Sequence, residues 1–324
     1  MTENARNKAT AKVLAGTLTL MARELEGLTP PLNLWTGTLT APYIKETALA
    51  VSYGESAVLW VNDSYPSQGL MLCRPQQLES DLLGAGSLRL TGPWMVDLEP
   101  ASRWAKAKSL AAKAKVLAEQ SRCRFLSIKT WHDPAVLRGL IDGGFQLAEI
   151  IAVFSGPLTP EDAKDKSRLR PAGVSFRKPL SWEFEGWFEA FEELFYDGHL
   201  LHGPFLAPDF QMKLWKEVAL RELAAGSPFV FLWQDRPEKL LGLAWGSLKG
   251  PEASLSAIHV VEGRRGQGLG SYLAGALFKQ MSVRGGREIR AETSSWNLPA
   301  QALYRSLGLK TRAPLIALHM MLDG

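Results

Sequence analysis

Between two apolar stretches the chain reads Arg264-Arg265-Gly266-Gln267-Gly268-Leu269-Gly270-Ser271. Glycine recurs at alternate positions behind two arginines. The preceding stretch alternates like a strand, and the following one repeats leucines at four-residue steps like a helix. Unpaired backbone N–H groups and the positive end of a helix dipole therefore converge here, which is a site for an anion. Glycine has no Cβ to keep a phosphate away from that backbone. The run is not a Walker A loop, because no Lys-Ser or Lys-Thr follows its last glycine. It does not open a Rossmann unit either, since the strands before it are joined by short turns instead of a helical crossover.

The elements that must position this loop follow from period and punctuation. Aromatic residues at helical spacing predict a helix over 182–196, and Phe210, Leu214, Val218 and Leu223 a second over 209–225. Three strand-like runs over 228–233, 240–248 and 253–261 are separated by proline and glycine turns, so they form an antiparallel meander. The helix opened by Leu269 stops at Gly285-Gly286. A strand over 288–293, a short helix over 299–307 ended by Gly308, and a final strand from Leu309 onward complete the half. Residues 157–171, rich in proline and charge, read as a linker between residues 1–156 and 172–324. Sliding the chain by 164 positions lays Arg124–Thr130 on Glu288–Ser294 and Leu137–Phe145 on Gln301–Leu309, a degenerate internal repeat. The earlier copy has Ile128 for Glu292, Asp133 for Asn297, Leu140 for Tyr304, and 101–106 for the glycine loop.

The exclusions favour coenzyme A as the anion, and here the residues resemble the GNAT superfamily of acyl-CoA N-acetyltransferases. Its signature Q/R-x-x-G-x-G/A matches Arg265 to Gly270, and its N-x-x-A-x-x-x-Y-x-x-x-G-F segment matches Asn297 to Leu309, with leucine for the aromatic. The resemblance implies acetyl-CoA as co-substrate and no metal. Pantetheine would pair along Ile258, His259 and Val260. The pyrophosphate would take Arg265, Gly266, Gln267, Gly268, Leu269, Gly270 and Ser271, with Asn297 also touching the cofactor. The implied fold is α/β of the α+β kind: tandem GNAT-like domains, each a mixed, mostly antiparallel sheet flanked by helices, only the second with a complete site.

Making an amide from a thioester requires an unprotonated amine and a proton for the departing thiolate. Tyr304 is the expected general acid. Glu292, at the position from which ribosomal-protein N-terminal acetyltransferases of the superfamily draw a base, is the expected proton acceptor, although an ion pair with a strand neighbour would equally suit a carboxylate there. Many relatives place a glutamate where this chain has Ser254, and His259 is a second candidate base. The segment 196–215, with Asp197, His199 and His202, would line the acceptor. An idle first half before a complete second resembles the dTDP-fucosamine acetyltransferase family, with echoes at Leu78–Gly84 and Phe205–Asp209. An amino sugar or sugar nucleotide is thus one expected acceptor. Protein N-termini, or non-catalytic binding of acetyl-CoA, are the alternatives.

Composition fits this reading. With 46% hydrophobic and 22% charged residues in 324, the chain has enough apolar material for two cores. A net charge of +4 is too small an excess to argue for nucleic acid. The stretch Val13–Ala22 only faintly imitates a leader and reads as a surface helix. No apolar run is long enough to span a bilayer. Two cysteines, Cys73 and Cys123, form neither a disulfide scaffold nor a zinc spacing. The expectation is a cytoplasmic enzyme whose partners are acetyl-CoA and a small amine, without nucleic acid or membrane, with a homodimer left open.

Overall fold

The computed structural model describes residues 57–60, 69–95, 99–158, 171–177, 208–235 and 239–322. The expected helices at 13–22 and 182–196, most of the linker, and the acceptor segment from 196 to 207 lie outside the described residues. The chain divides into two compact units that do not follow it in order. The first takes described residues up to Ile150 and again from Ala313, and the second those from Ile151 to Arg312.

The first unit builds its sheet from β1 (Ala57–Trp60), β2 (Gly69–Pro75), β3 (Gly86–Met95), β4 (Cys123–Trp131) and the late strand β12 (Leu315–Met321), in the order β1-β2-β3-β4-β12. β3 and β4 run parallel, and β12 lies antiparallel to β4 along its whole length. Helices α1 (Gln77–Leu83), α2 (Pro100–Gln120) and α3 (Pro134–Asp142) complete the unit. On α2 the buried positions Ala107, Leu110, Ala111, Ala114 and Ala118 recur at helical spacing. Their small side chains let the helix axis lie close over Leu88, Leu90, Leu126, Ile128 and Leu318.

The second unit's sheet contains the far part of β5 (Gln146–Pro157), β6 (Val174–Phe176), β7 (Phe229–Gln234), β8 (Lys239–Lys249), β9 (Glu252–Val260) and β10 (Glu288–Ser294), with the short β11 (Lys310–Thr311) also on β5. Spatially the order is β5-β10-β9-β8-β7-β6. β7 to β9 form the expected meander, β6 adds antiparallel to β7, β10 joins β9 in parallel, and β5 closes antiparallel on β10. One face packs under α5 (Leu269–Val283) and α6 (Leu298–Ser306), where Leu273, Leu277, Phe278 and Met281 meet Leu255, Ile289 and Ala291. On the other face Ala219 of α4 (Pro208–Ala224) packs with Phe231, Trp233, Leu243 and Trp245.

The internal repeat is visible in the geometry. α3 and α6 begin and end 164 positions apart, each opens on a side chain that caps its first amides, and Gly144 and Gly308 after them both have positive φ, 104° and 77°. Among the described residues no helix is long and apolar enough to cross a membrane. Cys73 and Cys123 are free, buried thiols, and burial pushes Cys73 up to about 12.

Two consequences of this packing are measurable. Gly246 on β8 lies where a Cβ would collide with the Ser254 carbonyl oxygen and the Met281 side chain. Gly246→Ala should therefore cost about 2–3 kcal/mol, read as a lower urea midpoint. His319 on β12 is fully buried against the Phe125 ring, and burial holds its pKa down to about 4. The unfolded chain takes up that proton near pH 6.5, so the contribution to stability is complete above that pH and is lost as pH falls toward 4. Between pH 7 and 5 it amounts to about 2 kcal/mol. His319→Leu should remove that share of the acid sensitivity in urea titrations at the two pH values.

Candidate active site

The site begins where two strands stop pairing. β9 and β10 are hydrogen-bonded in parallel from Glu252/Glu288 to Leu255/Ala291, and no further. From Glu292 on, β10 pairs with β5, while β9 from Ala257 to Val260 pairs with β8. The cause lies in the β8–β9 register, which jumps from Gly246↔Leu255 to Trp245↔Ala257 and leaves Ser256 as an extra residue. A bulge of this kind sharpens the local twist and turns its strand away from a neighbour. It also exchanges the faces. Ala253 and Leu255 belong to the core under α5, whereas beyond the bulge Ile258 and Val260 point to that side. His259, opposite Leu243, takes the other side. One edge of β9 is thereby released beside the glycine loop.

That loop starts with a 3-10 turn over Glu262–Arg264 and turns into α5 through Gly266 and Gly268, at φ 77° and 78°. A Cβ at either would meet no protein atom within 4 Å, so glycine is required for the left-handed backbone, and the approach to the amides stays open. Gly268 caps α5 without any side-chain hydrogen bond. Among the described residues no protein acceptor takes the N–H groups of Gly266 to Ser271. Arg265 donates from Nε to the Val260 carbonyl at 3.1 Å, and Arg264 from Nη1 to Gln234 Oε1 at 3.3 Å. Both guanidinium groups are thus tied at the mouth of the loop. A diphosphate fits this donor set: amides in series, a helix N-terminus and two cations.

The side chains expected to do chemistry stand on opposite faces of the sheet. Tyr304 on α6 is 4% exposed, packed in the core with Ala291, its ring edge-on to Phe154 at 5.4 Å. Glu292, next after Ala291 on β10, points to the other face by strand alternation. Its Oε1 accepts from Arg290 Nε at 3.1 Å and Nη2 at 2.9 Å. The ion pair that the sequence held open is therefore present, and the carboxylate remains 31% exposed within it. Asn297 caps α6, its Oδ1 accepting from the Ala300 N–H at 3.0 Å. Such a cap contributes about 1 kcal/mol and commits that oxygen to the helix. Gln301, which sequence reasoning did not single out, donates to the Ser295 carbonyl at 2.9 Å and fixes the turn between β10 and α6. Its place four residues after Asn297, on the same helix face, was the available signal.

His259 is buried, and desolvation followed by the Arg265 charge holds its pKa down to about 3. It is neutral at pH 7, and an imidazole this weakly basic is a poor acceptor for an ammonium proton. Ser254 sits beside Arg290 in the last paired rows of β9 and β10. Among the described residues no cluster of His, Cys, Asp or Glu is placed to hold a metal ion.

Known proteins bear out the architecture. Residues 184–309 match the family model described as Acetyltransferase (GNAT) family. A GCN5-related N-acetyltransferase from Sphaerobacter thermophilus is similar in fold, with a TM-score of 0.60 and 13% identity over 100% of this chain and 95% of that one. A tandem GNAT protein from the clavulanic acid biosynthesis pathway gives 0.56 and 17% over 96% and 95%. A GCN5-related N-acetyltransferase from Kribbella flavida gives 0.51 and 15% over 79% and 88%. Comparison with curated protein sequences returns no significant match. The segment that matches the GNAT acetyltransferase family model holds the glycine loop, the parted strands, Asn297 and Tyr304.

Proposed function

We propose that the second unit moves an acetyl group from acetyl-CoA to the primary amine of a small molecule, an amino sugar or sugar nucleotide being one such acceptor. The observation that carries this reading is the parting of β9 and β10 after Leu255 and Ala291, with the glycine loop serving one face and Glu292 the other. Acetyl-CoA, when bound, supplies an acyl group already activated as a thioester. The amides of Gly266 to Ser271, with Arg264 and Arg265 beside them, would hold its diphosphate, and the released edge at Ile258 to Val260 would pair with its amide-bearing arm.

The chain's own groups then divide the proton traffic by face. Glu292 would accept a proton from the ammonium on the acceptor side, directly or through water. Tyr304, on the cofactor side, would give its phenolic proton to the departing sulfur. Phe154, Ala291 and Leu307, in the same core cluster as Tyr304, exclude water from that phenol and fix its ring. Asn297 and Gln301 hold the helix that carries it.

Among its described residues the first unit lacks these features. Glu99 caps α2 in extended backbone at φ −72° without a left-handed glycine, and Ile128 and Leu140 are buried at 1% and 0%. Arg103 in the first turn of α2 pairs with Asp133 at 3.1 Å, Asp133 standing where the second unit has Asn297.

Calorimetry with acetyl-CoA should therefore give one equivalent bound per chain, and two equivalents or none would overturn this assignment. In a thiol-release assay with a panel of primary amines, Tyr304→Phe should lower turnover about 10²-fold or more while acetyl-CoA affinity stays within about threefold. Unchanged turnover in that variant would remove Tyr304 from the mechanism.

A further inference from the structure

One transverse row crosses the acceptor face of the second unit's sheet. Ser254 on β9 pairs with Arg290 on β10, Arg290 with Ser155 on β5, and Ser155 with Lys310 on β11. Residues paired across strands share a face, and Arg290 shares its face with Glu292 two positions along. Arg312 reaches the same row, its Nε donating to Ser155 Oγ at 2.7 Å. Arg290, Lys310 and Arg312 thus gather on the face that carries Glu292, with Glu288 two positions before Arg290 on the same side.

The Arg290–Glu292 pair is partly open to water, with side chains 38% and 31% exposed. An ion pair this exposed holds weakly and can be exchanged for another of equal charge. We propose that the amine acceptor carries an anionic group, a carboxylate or a phosphate, bound by Arg290 and Arg312 while its ammonium is directed to Glu292. An acceptor bearing both charges re-pairs both members of the existing bridge, whereas a plain amine competes with Arg290 for Glu292 and offers the guanidinium nothing in exchange. The planar guanidinium fork suits either anion, and Ser254 and Ser155 flank it with hydroxyl groups. Only the placing of the amine at Glu292 rests on the transferase reading above.

The test is calorimetry with the full chain, alone and saturated with CoA, using matched pairs of amines. One arm compares α-amino acids with their decarboxylated amines, and the other compares amino-sugar phosphates with the free amino sugars. In at least one arm the anion-bearing member should bind about tenfold tighter or better. Arg290→Gln and Arg312→Gln should each abolish the difference, and Arg290→Lys should restore part of it. The arm that shows the preference identifies the anion. Equal binding within every pair, no binding by any anion-bearing amine, or a preference that survives Arg312→Gln and Arg290→Gln would overturn the proposal. Failure of CoA itself to bind would count against the transferase reading alone, since the amine titrations without CoA still report on the arginines.

Discussion

Everything in the second unit turns on one parallel pairing that stops too soon. Two strands joined along their length would present a closed sheet, with all backbone groups satisfied and no passage between its faces. Ser256, inserted as an extra residue in β9, ends the pairing with β10 and reverses which side chains point to which face. From that single register shift follow the free strand edge and the change of face at Ile258 to Val260, while the alternation along β10 puts Glu292 on the face away from Tyr304. Gly246 is where β8 yields to the same bulge, since only a residue without a side chain fits against the Ser254 carbonyl.

The glycine loop, Asn297 and Tyr304 could be read from the sequence because their residue types are dictated locally. Positive φ demands glycine at 266 and 268, and a helix start favours asparagine at 297. Meander strands and the two helices around the loop were legible from their periods to within a residue or two. The bulge was not. Nothing in the composition of Ser254-Leu-Ser-Ala-Ile258 distinguishes a strand that slips one place from one that does not, because the alternation is weak there and small residues tolerate either register. Sequence also left Glu292 between catalysis and ion pairing, and the structure shows Arg290 on it. Arg312 was invisible for another reason: it meets Ser155 from 157 positions away, a convergence that only the folded sheet creates.

His259 illustrates how burial overrides residue type. An imidazole normally titrates near the pH at which proton transfer is useful. Placed past the bulge on the crowded face, with Arg265 nearby, it is held neutral over the whole physiological range.

The first unit closes its sheet with β12, which follows every element of the second unit along the chain. One edge of β4 pairs with β3, and the other therefore waits until Leu315 to Met321 has been synthesised, after α2 and α3 are complete. During translation the sheet of the first unit keeps an unmade seam until every element of the second unit has been synthesised. A cut in the stretch between β5 and β6 would part β4 from β12 and β10 from β5, leaving each fragment without a strand that the other holds.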